Sequence, residues 1–227
     1  MLNELIFLAQ IVVLSLAIAM SCRLGWASVL VCLCMQVVLA NLMVLKKVVL
    51  FGFDVTASDS FAVGSMLCIN ILREYEGKGA TQIAMFTSWL WMLLCALLFY
   101  LHLAFVPSAT DAVAGLYERL LTPVVAIIVQ SFVIIMIVQS FDYLLFATIR
   151  RRFTQWSFTT RSLMSLLVTQ ALDTFLFTFA LASQVTLAFW QVFLWSYLLK
   201  VLVVLCMSLG VYRYRITAKD DARVVAV

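Results

Sequence analysis

Glutamine and aspartate recur three residues apart, twice, inside stretches apolar enough to cross a membrane. Gln139-Ser140-Phe141-Asp142-Tyr143-Leu144-Leu145-Phe146 returns as Gln170-Ala171-Leu172-Asp173-Thr174-Phe175-Leu176-Phe177, a Q-x-x-D-x-x-L-F pattern. Residues three apart share a helix face, so each copy aims an amide and a carboxylate in one direction. An ionisable group in a spanning helix costs about 2.5 kcal/mol or more and usually faces a cavity or a partner. Two copies on successive spans describe a polar site within a bundle, suited to binding and moving something polar.

Other polar groups fall at related depths. From the rise per residue, Asp142 lies roughly 12 Å inside the end marked by Arg150, while Asp173 and Lys200 both lie roughly 20 Å deep. Opposite charges at matching depth make Asp173 and Lys200 candidate partners. Arg161, Ser165 and Thr169 follow one another at four-residue intervals beside Gln170 and Asp173, a stripe that rotates only about 40° per step. Ser131, Gln139 and Asp142 form a second face, and Asn41, Lys46, Asn70 and Glu74 add polar groups from earlier spans. A plainer account exists for many of these. Amides and hydroxyls in spans often bond neighbouring helices for about 0.6 kcal/mol each, and Arg161 and Glu74 suit interfacial anchors. That account is weakest for Asp142, Asp173 and Lys200, because burying a charge only for packing is costly.

Positioning these groups requires a membrane bundle. Of 227 residues 66% are hydrophobic and 11% charged, against about 25% charged in soluble domains; the mean hydropathy is +1.13. Apolar segments at 5–21, 26–47, 58–73, 81–105, 123–149, 159–183 and 189–212 predict an all-α polytopic bundle of six to seven spans. The third is short and interrupted by Gly64, Ser65 and Asn70, so a tilted span and a broken, cavity-lining helix both stay open. The first, from Leu5 to Met20, follows Met1-Leu2-Asn3-Glu4 with no basic residue and reads as a retained span rather than a signal peptide. One transmembrane domain over 1–212 is followed by a short tail at 213–227, expected to be unstructured. Arg23, Arg73, Lys78, Arg150-Arg151-Arg152, Arg213 and Arg215 orient the chain with its N-terminus outside and its C-terminus cytoplasmic. Lys46-Lys47 is the exception, near the outer end of span two.

These flanks account for the net charge of +4, so no nucleic-acid partner is indicated. The 6 Cys and single His102 have no metal-site spacing, which leaves buried thiols without a disulfide framework, metal or cofactor. No G-x-S-x-G, H-E-x-x-H or phosphate-loop motif occurs, so the chain is not expected to be an enzyme, and it cannot hydrolyse ATP itself.

At these residues the chain resembles the bacterial queuosine-precursor transporters, the vitamin-uptake-transporter-like family. Ala40-Asn41, Lys46 and Leu50-Phe51-Gly52 are similar to the family's A-N-x-x-x-x-K-x-x-x-L-F-G. Glu74, Gly77 and Lys78 match D-x-x-x-E-x-x-G-K, with Asn70 in place of its first acid. Gln139 and Asp142 are followed by R-x-x-x-S-x-x-x-x-Q-x-x-D as Arg161, Ser165, Gln170 and Asp173, and Tyr197 with Lys200 matches Y-x-x-K. The likeness is collinear up to about Tyr212.

The resemblance implies an inner-membrane importer of a 7-deazaguanine, in the cyano or aminomethyl form, or of queuine, for tRNA modification. Its site residues would be Asn41, Lys46, Asn70, Glu74, Gln139, Asp142, Arg161, Ser165, Gln170, Asp173 and Lys200. A guanine-like edge offers N1–H and an exocyclic amine to a carboxylate, and its O6 accepts from Arg, Lys or an amide. Adenine's reversed edge would leave a buried acid unpaired, a penalty of about 1–3 kcal/mol. Phe141, Phe175 and Trp195 are candidate stacking partners. A neutral Asn70 would weaken binding of the cationic aminomethyl form. Partners are then the purine-like substrate and the bilayer, with a homo-oligomer left open. Alternatives are a binding subunit that needs a partner ATPase module, an intramembrane lipid-acting enzyme, and a purely structural subunit.

Overall fold

A computed structural model describes residues 2–56, 58–181 and 189–225. They form seven helices and one hairpin: α1 (Leu2–Leu24), α2 (Trp26–Met43), β1 (Lys47–Leu50), β2 (Phe53–Thr56), α3 (Asp59–Tyr75), α4 (Gly77–Leu103), α5 (Ala114–Arg152), α6 (Phe158–Leu181) and α7 (Phe189–Val225). All but α3 are long and apolar enough to cross a membrane. The chain is therefore a multi-pass helical bundle.

The outer surface is apolar, with Leu5, Val12, Leu90, Leu97, Val129, Leu144 and Phe179 all exposed, while Asn70, Asp142, Ser165, Thr169 and Gln170 are fully buried. Such an arrangement fits hydrocarbon outside and a polar seam within.

Helix α3 is the centre of the bundle. It packs against α1, α2, α4, α5, α6 and α7, and every residue from Val63 to Leu72 is buried. It is continuous, not broken, and its 17 residues give a rod of roughly 25 Å, short of the roughly 30 Å hydrocarbon core. Gly64 lets α2 approach closely: a Cβ there would run into Gln36 Oε1. Gln36 in turn donates through Nε2 to the sulfurs of Cys32 at 3.1 Å and Cys68 at 3.6 Å.

Three boundaries differ from those expected of the sequence. Helix α2 stops at Met43, and 47–56 folds into an antiparallel hairpin in which Lys47 faces Thr56 and Leu50 faces Phe53. Phe51 (φ 52°) and Gly52 (φ 85°) form its two-residue turn, the paired left-handed geometry that matches strand twist. The β-branched Val48, Val49, Val55 and Thr56 favour strand. Helix α5 starts at Ala114, ahead of Pro123; its 39 residues would run roughly 58 Å and project past the bilayer. Helix α7 continues to Val225, so the segment expected to be an unstructured tail is helical. No Gly or Pro follows Gly210, so no helix breaker interrupts this stretch of α7. The side chains of Arg213 and Arg215, and the end of span six beyond Leu181, lie outside the described residues.

Contacts define two ends. At one, Asn3 Nδ2 donates to Val49 O at 3.0 Å and Glu4 Oε1 accepts from Phe51 N at 3.2 Å, fastening α1 to the hairpin. At the other, Arg150 Nη1 donates to Arg73 O at 2.9 Å, where α3, α5 and α6 meet.

Candidate functional site

A cavity of about 430 Å³ runs from the hairpin end into the bundle. Its wall includes Asn41, Lys47, Thr56, Asp59, Ser131, Asp173, Thr174, Phe177, Ser196 and Lys200, supplied by α2, both strands, α3, α5, α6 and α7.

Lys200 is its electrostatic centre. Nζ donates to Asp173 Oδ2 at 2.5 Å and stands 3.6 Å from Asp59 Oδ1. The three side chains are 6%, 13% and 13% exposed. Asp173 and Lys200, candidate partners by matching depth and opposite charge, are paired. Asp59 is a third member that sequence reasoning missed. It precedes the apolar run starting at Phe61, and without the hairpin it looks like an ordinary loop acid.

Above this network, Ser131 Oγ donates to Asn41 Oδ1 at 2.5 Å, while Asn41 Nδ2 donates to Val37 O at 2.9 Å. Both side chains are held at the cavity wall. Lys46, expected at the site, is exposed and absent from the lining; its neighbour Lys47 takes that place. Phe141 and Phe175 face outward, and Trp195 stacks on Phe53 of the hairpin with ring centroids 3.6 Å apart. Phe177 is the aromatic in this lining. It was overlooked because sequence spacing alone does not separate the lipid face from the cavity face of α6.

A second cluster lies deeper and does not line the cavity. Asp142 Oδ1 accepts from Ser165 Oγ at 2.7 Å and Thr169 Oγ1 at 2.9 Å, and Asn70 also faces this carboxylate. Asn70 Nδ2 donates to Ser162 Oγ at 3.4 Å, and Gln170 Nε2 contacts Met66 Sδ at 3.2 Å. Trp89 Nε1 donates to Gln139 Oε1 at 2.6 Å. Hydrogen-bonding capacity remains: Asn70 Oδ1, Gln139 Nε2 and Gln170 Oε1 are buried without a partner.

A third cluster closes the Arg-rich end. Glu74 Oε1 accepts from Arg161 Nη2 at 2.5 Å, and Glu74 Oε2 stands 3.2 Å from Arg150 Nε. Ten of the eleven candidate residues therefore form a column in three tiers rather than one pocket. Asn41, Asp173 and Lys200 line the cavity; Asn70, Gln139, Asp142, Ser165 and Gln170 lie behind it; Glu74 and Arg161 plug the far end. Only Lys46 stands apart.

The family model described as "Putative vitamin uptake transporter" matches residues 57–214. The chain belongs to that family. The match takes in this transporter's α3 to α6 and most of α7, and with them Asp59, Asp142, Asp173 and Lys200; α1, α2 and the hairpin precede it. No curated protein and no solved structure matches the chain.

Proposed function

We propose that this transporter imports a queuosine precursor, a 7-deazaguanine, across the bacterial inner membrane. In this reading the hairpin end faces outward and the Arg-rich end is cytoplasmic, as the distribution of positive charge favours. The carrying observation is the cavity itself: it reaches from the hairpin to a buried acid–amine network, while the opposite mouth is bridged by Glu74, Arg150 and Arg161. A chamber reached from one end and sealed at the other suits one state of an alternating-access carrier. Its volume of about 430 Å³ falls within the range of about 300–1,000 Å³ common for small-molecule sites.

The residues suit a guanine-like base. Asp173 accepts from N1–H and the exocyclic amine, and Lys200, still held by Asp59, turns towards O6. Phe177 stacks on the ring, and Asn41 with Ser131 orients it. Asp142 is the group best placed to carry a coupling proton. Its hydrogen-bond donors are neutral hydroxyls, and among the described residues no ion pair reaches it, whereas Glu74 is already bridged to two arginines.

The test is complementation. The chain is expressed in a bacterium lacking deazaguanine synthesis and its own importer but able to use the supplied compound. Each precursor and queuine are given separately at low dose, and tRNA is assayed for queuosine. Restoration by one compound supports import and identifies the cargo. Failure with all of them, despite confirmed membrane expression, defeats the proposal.

A further inference from the structure

The buried acid–amine network is unbalanced in charge. Two carboxylates, Asp59 and Asp173, share one ammonium, Lys200. All three are largely shielded from solvent, and with each group ionised the triad has a formal charge of −1. Lys47 also lines the cavity, but it is exposed at the hairpin rim, where solvent and salt screen it. Lys46 is exposed and outside the lining. The remaining polar lining groups, Asn41, Thr56, Ser58, Ser131, Thr174, Thr178 and Ser196, are neutral.

The two acids are unequal in geometry. Asp173 holds Lys200 at 2.5 Å, whereas Asp59 stands 3.6 Å from the same nitrogen. Asp59 sits in the first turn of α3, beside the strand residues Val55 and Thr56 that form the cavity wall. It therefore lies on the hairpin side of Lys200, within the cavity lining. An acid so placed can accept a second cation without releasing the first.

We infer that Asp59 is a specificity residue of this site: the juxtaposition of Asp59 and Asp173 around the single amine of Lys200 selects a ligand that carries its own protonated amine. The inference rests on the proposed function and refines it, favouring an aminomethyl-type 7-deazaguanine over a neutral cyano-type one. The neutral Asn70, which would argue for the opposite preference if it touched the ligand, lies outside the lining and donates to Ser162.

Uptake of the aminomethyl and cyano bases by wild-type protein and Asp59→Asn, at matched membrane abundance, tests this. The wild type is expected to favour the aminomethyl base, and Asp59→Asn to lower uptake of that base at least about tenfold more than uptake of the cyano base. Asp59→Glu keeps the charge and is expected to keep the preference. Titration of the purified proteins with both bases gives the same ratios from Kd, independently of expression. An unchanged ratio in Asp59→Asn, or an equal loss for both bases, overturns the inference but not the import reading. Wild-type protein that neither binds nor carries either base defeats the reading beneath it.

Discussion

Arg161 at the start of α6 donates to Glu74 at the end of α3, Nη2 to Oε1 at 2.5 Å, and Arg150 of α5 flanks the same carboxylate. The pair joins the central helix to two of the helices around it, at the end of the bundle opposite the cavity mouth. Breaking it should loosen that end. In a protein whose native cysteines are replaced, a cysteine at Thr174 is expected to become reactive towards a thiol reagent applied from the Arg-rich side when Glu74→Gln is added. Uptake should fall about tenfold or more, since a guanidinium left without its carboxylate is strongly disfavoured. Labelling unchanged by Glu74→Gln would mean that these ion pairs do not seal the Arg-rich end.

The Asp59–Lys200–Asp173 triad predicts unequal costs. Lys200→Met leaves two acids facing each other and should lower stability by about 3–5 kcal/mol. Asp173→Asn leaves Lys200 beside Asp59 and should cost clearly less. Thermal unfolding of the detergent-solubilised proteins ranks them, and equal losses would mean that Asp59 contributes nothing to holding the amine.

Asp142 invites a different experiment. Asp142→Asn preserves shape and removes a group that can bind a proton, so the protein should insert and unfold near the wild-type temperature while uptake is lost. Ser165→Ala with Thr169→Ala keeps the acid but strips both hydroxyl donors, at about 1–3 kcal/mol for each unsatisfied acceptor position. Wild-type uptake by Asp142→Asn would show that the carboxylate has no part in transport.

Close packing at the α2–α3 crossing can be checked through Gly64. Gly64→Ala must displace Gln36 from the sulfurs of Cys32 and Cys68, and should cost about 1–3 kcal/mol. Adding Gln36→Ala should recover part of the loss, because the obstructing amide is gone. A stable single mutant would mean that the two helices have slack at this crossing.

Much of the architecture was legible because the membrane imposes length and polarity together. A bundle of six to seven spans, the polar stripe of α6 and the Asp173–Lys200 pairing all follow from spacing and depth. The hairpin was obscured by its own apolarity: Lys47-Val48-Val49-Leu50-Phe51-Gly52 extends a hydrophobic run, and only the left-handed turn at Phe51-Gly52 separates strand from helix. Asp59 was hidden for the same reason, since its proximity to Lys200 depends on where the hairpin delivers the chain. Phe177 against Phe175 could not be resolved, because lipid and cavity both accept an aromatic ring. The separation of Asp142 from Asp173 into different tiers is likewise tertiary: two copies of one motif face different neighbours.

The enclosure of α3 bears on how the chain is assembled. A helix surrounded by six others, too short to cross unaided and carrying Asn70 and Ser65 along its buried length, has little to gain from lipid when it leaves the ribosome. Of the six helices around it, α1 and α2 precede it and α4 to α7 follow. Its enclosure is complete only once α4 to α7 have been made and have closed around it. Truncation before α7 should then leave a nascent protein marked for degradation rather than a partial carrier.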